Sequence, residues 1–463
     1  MAHRRGTESR VAAQGDGLCV ETGTRKMNAI RRLLISAGVR LLVLPLSGIA
    51  ALLSTRVVTG DYGPEQYATF TLVATLPFLF PLTDLGLGAA VTNAAALLPE
   101  DAAKFRVTLN KTRRILFWFA AALAAVATFV GFIGGWSSIL GLQAGRGTDS
   151  AIVAAFWFFC VNIPASLGAR ILVGLRRNGI VVLVQGTTAI SNLLVVAALA
   201  LINAPFEILL AMSLSGLLIS NLTCSVIAHR DQKIRNSRVA VGRVTETHAA
   251  RIWQTALPML IISAVLPFTF QIDRLIINWS SGLAEVATYS AVAMLYLPAL
   301  SVLQTATRSL WGDFAAVRDQ PNKALHIYLQ ALAVSGLIGA LAAAGLLIVG
   351  PAISRWATNG LVEISAPVVV AFAALLLVHA LHSPGGMFLT DEDGLRFQAV
   401  TAVIMATVSV PLSVYLAQRY GAAGPIVATT FCLCVLQLIP CLARILIVTN
   451  RSGVKIQQFG NID

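Results

Sequence analysis

The 463-residue sequence predicts an all-α polytopic membrane protein, with about 12 transmembrane helices in two six-helix bundles related by a parallel internal repeat. Three observations predict this. Charged residues are 12% of the chain and apolar ones 57%, where a soluble domain carries roughly 25% charged residues. Apolar stretches of about twenty residues recur from end to end, each able to cross a hydrocarbon core of ~30 Å. Finally, one segment occurs twice. Residues 63–74 read GPEQYATFTLVA and residues 282–293 read GLAEVATYSAVA, so that Gly63, Ala68, Thr69, Val73 and Ala74 match Gly282, Ala287, Thr288, Val292 and Ala293. In both copies a long apolar helix bearing an arginine near its end, Arg56 or Arg274, comes just before. Two equivalent bundles leave a central cleft between them, which is the layout of a transporter rather than of an enzyme with one catalytic domain.

The apolar stretches place crossings at 33–56, 67–95, 114–136, 151–174, 179–203, 206–228, 253–278, 287–309, 326–349, 364–389, 397–417 and 422–448. Those at 206–228 and 364–389 carry the weakest signal. An even number in each half makes both bundles start on the same side, so their symmetry axis runs along the membrane normal. The expected organisation is a cytoplasmic tail over 1–32, a first bundle over 33–228, a basic linker over 229–252, a second bundle over 253–448 and a tail over 449–463.

A net charge of +13 alone would point to nucleic acid, but the charge is distributed as membrane topology demands. Of 34 lysines and arginines, only Arg146, Arg355 and Arg419 fall on the outer side. Arg40, Arg56, Arg170 and Arg274 lie within or at the ends of helices, and the rest are on the inner side. This asymmetry puts both termini in the cytoplasm and favours contact with anionic lipid headgroups. The linker joint carries Arg230, Lys233, Arg235, Arg238, Arg243 and Arg251. An acidic loop over 390–397, with Asp391, Glu392 and Asp393, is the exception. No cleavable signal precedes the first helix, which is expected to be an uncleaved anchor. Residues 1–26 are polar and aperiodic, and Met27 ahead of Arg31 and Arg32 is a second candidate start; the mass of the N-terminal peptide decides between them.

Catalytic and metal chemistry finds no support in the spacing. Five of the six cysteines, Cys160, Cys224, Cys432, Cys434 and Cys441, lie in helices and read as small apolar side chains. There is no CxxC pair, clustered His/Cys spacing, Walker loop or GxGxxG after a strand, so no cofactor and no metal is implied. Outer loops are all short, on the order of fifteen residues or fewer, which argues against a membrane polymerase or glycosyltransferase with an external site. Prolines sit inside many crossings. Pro77 and Pro81, followed by Gly86 and Gly88, make the second helix the candidate for bending, and Pro258 and Pro267 do so for the seventh.

With topology and repeat in hand, two strings carry a resemblance. STRVVTGDYGPEQYATFTLVATLPFLFPLTDLGLGAAVTN (54–93) resembles the first two helices of the polysaccharide-transporter family, which contains O-antigen and exopolysaccharide repeat-unit flippases. QIDRLIINWSSGLAEVATYSAVAML (271–295) resembles its seventh and eighth helices. These motifs point to the superfamily that also holds MATE drug/cation antiporters and lipid II flippases. The chain departs from the family in having Ala68 and Ala287 where glycine is usual before the aromatic residue, a change that bears on helix packing. The resemblance implies a flippase, not an enzyme, in a bacterial inner membrane. Its substrate would be a polyprenyl-diphosphate-linked oligosaccharide, moved to the outer leaflet, with the polysaccharide polymerase as a protein partner. Such a headgroup needs a wet cationic cleft, while its lipid tail stays in the bilayer. The competing readings are a MATE-like antiporter and a polymerase or glycosyltransferase of the same pathway.

Charges inside the membrane cost roughly 2.5–3.5 kcal/mol on insertion scales, so each one needs a reason. Arg40 and Asp84 sit at comparable depth and are expected to form either a structural salt bridge or a diphosphate-binding arginine oriented by an aspartate. Arg56 and Arg274 are expected near the outer surface, either sharing a role at the mouth of the cavity or snorkelling to the interface. Asp273 cannot face its neighbour Arg274, because adjacent helical residues diverge by about 100°; its partner is elsewhere. Arg170 and Arg308 fall near inner helix ends, as anchors or as lining of the entrance. His379 and His382 share a helix face, with His379 placed for proton coupling or for packing. The candidate cavity set is therefore Arg40, Arg56, Arg170 and Arg274, with Asp84, Asp273 and His379 for ion coupling or charge pairing.

Overall fold

The computed structural model describes residues 43–76 except 44, 87–98, 102–143, 146–175, 177–231, 234, 265, 269–308, 310, 314, 317 and 320–459. Among the described residues all regular structure is helical, and nine helices are long and apolar enough to cross a membrane. In chain order the described helices are labelled α1 (45–61), α2 for the two segments Pro64–Ala74 and Leu87–Ala96, and α3 (Ala102–Phe132). They continue with α4 (Gly147–Gly174), α5 (Asn178–Leu201), α6 (Phe206–Arg230), α7 (Asp273–Ser281) and α8 (Leu283–Arg308). The chain ends with α9 (Pro321–Ala357), α10 (Ala366–Phe388), α11 (Glu392–Tyr420) and α12 (Ala423–Thr449). The α1–α2, α3–α4, α5–α6, α7–α8, α9–α10 and α11–α12 turns share one end of the molecule, called distal here.

The duplicated segment is a helix start in both copies. Gly63 and Gly282 both have positive φ, 96° and 87°, and turn the chain between α1 and α2 and between α7 and α8. Only glycine adopts this geometry without strain, which is why the repeat opens on it. Beyond the turns, α2 and α8 cross each other with Ala68 and Ala287 buried in the contact. Small side chains there let the two bundles approach closely. One core fills the first bundle, around Phe105, Leu116, Phe156, Phe159 and Leu172. A second fills the C-terminal bundle and reaches across the distal end of the interface, joining Val58, Tyr67 and Phe70 to Val286, Tyr289 and Phe372.

The two weakest sequence expectations, at 206–228 and 364–389, are both helices. Three expectations change. The crossing placed at 326–349 is the middle of α9, whose 37 residues span about 55 Å. The crossing placed at 114–136 begins at Ala102 and ends at Phe132, because Gly134 turns into the left-handed region and a short helix, Gly135–Leu140, follows. The acidic stretch at 390–397 is not a loop: Asp391 occupies the N-cap position of α11, and Glu392 and Asp393 lie in its first turn. Carboxylates are favoured there by the helix dipole, so the charge exception has a local cause. Pro164 precedes a break in α4 at Ser166, and α12 contains a π-helical turn over Cys434–Leu438. The expected bends at Pro77, Pro81, Pro258 and Pro267 lie outside the described residues. So does the linker beyond Asp231 apart from Ile234; Asp231 itself is buried and paired with Arg177 at 2.8 Å.

Candidate functional site

A cavity of about 290 Å³ lies between the bundles, lined by α1, α2 and α5 of one and α7 and α8 of the other. Its apolar wall includes Val58, Phe70, Met294 and Leu297. Its polar wall consists of Ser54, Thr55, Tyr67, Thr71, Asn192, Ser290 and Arg274. Among the described residues, Arg274 is the only lining side chain that carries a formal charge, and no carboxylate lines the cavity.

Arg274 reaches this position because it lies two turns before the end of α7, well short of the distal surface. It is 9% exposed. Its Nη1 donates to Gln271 Oε1 at 2.9 Å and its Nε to Ser290 Oγ at 3.2 Å, while the guanidinium sits 5.3 Å from the centre of the Tyr289 ring. An arginine fixed by two hydrogen bonds and a ring face has surrendered its rotamer freedom before any ligand arrives, so less entropy is lost on binding.

The neighbouring aspartate faces the other way. Asp273 is 2% exposed and directed into the C-terminal bundle towards Thr429 on α12, with Oδ1 lacking a hydrogen-bond partner among the described residues. His379 is buried in the same bundle: its Nδ1 is 3.0 Å from the Tyr296 hydroxyl, and its ring packs 5.0 Å from that of Phe270. Neither residue lines the cavity.

Arg56, expected either to share a role with Arg274 at the mouth of the cavity or to snorkel to the interface, does not line the cavity. Thr71 and Ser290, equivalent residues of the repeat, are 219 apart. The same offset maps Arg274 onto Thr55, not onto Arg56. One residue is a rotation of about 100° on a helix, so Arg56 points out of the cavity. It donates to the Trp356 carbonyl at the end of α9, and its guanidinium lies 4.8 Å over the Trp356 ring. Arg170 is exposed on α4 and does not line the cavity. Arg40 and Asp84 lie outside the described residues, as does the Arg308 side chain.

The distal end of the cavity is closed by two sets of contacts that the repeat relates to each other. In one, Asn359 donates to the Arg56 carbonyl at 2.7 Å and Thr59 to the Ala357 carbonyl at 3.4 Å, tying α1 to the α9–α10 turn. In the other, Asn278 donates to the carbonyls of Leu140 and Gly141, and Trp279 to that of Ile139 at 2.9 Å, tying α7 to the α3–α4 turn. Gly141 is required by its surroundings: its φ is 66°, and a Cβ there would lie 2.9 Å from Trp279. The sequence flagged Arg274 by its charge. Thr55, Tyr67, Asn192, Gln271 and the two asparagines went unnoticed, since neutral polar residues in apolar helices give no signal until their partners are known.

The fold is similar to that of solved transporters of the MOP superfamily. It aligns with an inward-facing multidrug-resistance MATE transporter at a TM-score of 0.62 and 13% identity, over 89% of this chain and 99% of that one. The inward closed lipid II flippase MurJ aligns at 0.61 and 12% identity, over 92% and 93%. A MOP-superfamily transporter from Pyrococcus furiosus, described as having a binding pocket of reverse polarity, aligns at 0.55 and 16% identity, over 92% and 95%. No protein-family profile and no curated protein matches the chain.

Proposed function

We propose that the protein is a flippase that carries polyprenyl-diphosphate-linked oligosaccharide repeat units across a bacterial inner membrane, for cell-surface polysaccharide synthesis. The observation that carries this reading is the charge of the cavity: a buried arginine, Arg274, with no carboxylate on the same wall among the described residues. A guanidinium in a poorly solvated cleft favours an anion and repels a cation. The hydroxyls and carboxamide around it, from Ser54, Thr55, Tyr67 and Asn192, suit a saccharide, which presents donors and acceptors in equal measure. Arg40 is proposed as a second cation for the diphosphate.

The likeness in fold to the lipid II flippase is in keeping with this reading, but the MATE antiporters are as similar. Charge is what separates the two. A drug/cation antiporter asks for a carboxylate on the cavity wall, and Asp273 is turned away from it into the C-terminal bundle.

The test is genetic. In a strain lacking the gene, mass spectrometry of polyprenyl-diphosphate-linked saccharides is expected to show one complete repeat unit accumulating, relieved by the wild-type gene and not by Arg274→Gln. A normal lipid-linked pool together with increased sensitivity to cationic drugs would move the protein to the antiporter class.

A further inference from the structure

The cavity arginine also heads a hydrogen-bond chain that crosses between the bundles. Arg274 Nε donates to Ser290 Oγ at 3.2 Å. Ser290 Oγ lies 3.0 Å from Thr71 Oγ1 of α2, and Thr71 Oγ1 is 2.9 Å from the Ala68 carbonyl oxygen. A carbonyl only accepts, so the Thr71 proton goes to Ala68 and Ser290 supplies the proton between the two hydroxyls. The direction is thereby fixed: guanidinium, Ser290, Thr71, backbone of α2. Equivalent residues of the two repeats meet here, at the crossing of α2 and α8. Only the second repeat supplies a charged donor, because Thr55 stands where the first would have its arginine. A charged donor at the head polarises each bond that follows, which strengthens the whole chain.

That donor is also the group an anion would seek. Arg274 and Ser290 both line the cavity, so the Nε edge of the guanidinium, which Ser290 occupies, borders it. A phosphate gripping that edge at two points takes the Nε–H away from Ser290. Resting on the diphosphate reading above, we propose that Arg274, Ser290 and Thr71 form a substrate-sensing tie. A bound diphosphate and the cross-bundle chain compete for one N–H, so occupancy of the cavity loosens the contact between α2 and α8. Ser290 and Thr71 act as positioning residues: they hold the guanidinium and report its occupancy to the opposite bundle.

Competition of this kind is reciprocal: if binding weakens the tie, removing the tie strengthens binding. The test is the affinity of the purified full-length protein for farnesyl diphosphate and for inorganic pyrophosphate. Thr71→Val leaves the guanidinium untouched and is expected to lower the Kd for farnesyl diphosphate roughly fivefold. Thr71→Ser keeps the hydroxyl and should keep the wild-type Kd. Ser290→Ala, made from the other side of the interface, must move the Kd in the same direction as Thr71→Val. Tightening for both probes supports the tie with the diphosphate alone as its signal. Tightening for farnesyl diphosphate only supports it with a prenyl chain needed to seat the headgroup. An unchanged or raised Kd in Thr71→Val and Ser290→Ala, where Arg274→Gln has weakened binding, overturns the tie and leaves the diphosphate site standing. No binding of either probe to the wild-type protein overturns the tie and the diphosphate reading together.

Discussion

Thr55 and Arg274 occupy equivalent positions in the two halves and both line the cavity, yet one is neutral and the other charged. The halves thus share a backbone plan and differ in what they offer a ligand. At the distal end the relation is again one of position rather than chemistry. In the second half Asn278, on the helix, reaches the α3–α4 turn; in the first, the α1 helix is met by Asn359 from the α9–α10 turn. Duplication supplies two bundles that fit together, and divergence at single positions supplies function. A perfectly symmetric pair would place either two arginines or none beside Thr71 and Ser290.

The strongest way to break this comparison is to remove its asymmetry. Arg274→Gln erases the only charge on the described cavity wall and is expected to reduce transport by about tenfold to a hundredfold with protein level unchanged, since a hydrogen bond to a charged group contributes roughly 1.5–3 kcal/mol. Complementation of the deletion strain, with immunoblotting of membranes, measures both quantities.

A smaller effect is expected from the distal contacts. Asn278→Ala and Asn359→Ala each remove neutral hydrogen bonds, at about 0.5–1.5 kcal/mol, and shift the balance between closed and open distal ends by roughly two- to tenfold. A cysteine at Ser54, inside the cavity, should then label correspondingly faster with a membrane-impermeant thiol reagent applied from the distal side. Equal rates would show that these bonds do not hold the closure. Gly141→Ala should act on the same contact by strain, lowering the melting temperature of the purified protein through a cost of about 1 kcal/mol for its positive φ. The mildest change is Arg56→Lys, which keeps a cation over Trp356 and loses the planar fork; transport close to wild type is expected, in contrast to the loss at Arg274.

Much of this architecture was legible in the sequence, because the signals were strong and local. Twenty-residue apolar runs and a repeated GPEQYATFTLVA-like segment need no tertiary information, and the prediction of two six-helix bundles follows from them. The site was legible only in part. Charge drew attention to Arg274 and Arg56 alike, but their different directions depend on a one-residue offset in the repeat, which matters only once the helices are packed. Asp273 showed in advance that it could not face Arg274; that it faces Thr429, on a helix more than a hundred residues away, is a property of the packed bundle. The distal closure was invisible for the same reason. Its asparagines bond to backbone carbonyls 138 and 303 residues distant, and a carbonyl has no sequence signature.

The central claim is that this cavity selects an anion. Binding of farnesyl diphosphate and of the lipophilic cation tetraphenylphosphonium to the purified protein, each compared between wild type and Arg274→Gln, tests it most directly. The account predicts that the diphosphate binds and the cation does not, and that Arg274→Gln weakens diphosphate binding by about tenfold to a hundredfold. Cation binding that survives or strengthens in Arg274→Gln, with no diphosphate binding in the wild type, would contradict it.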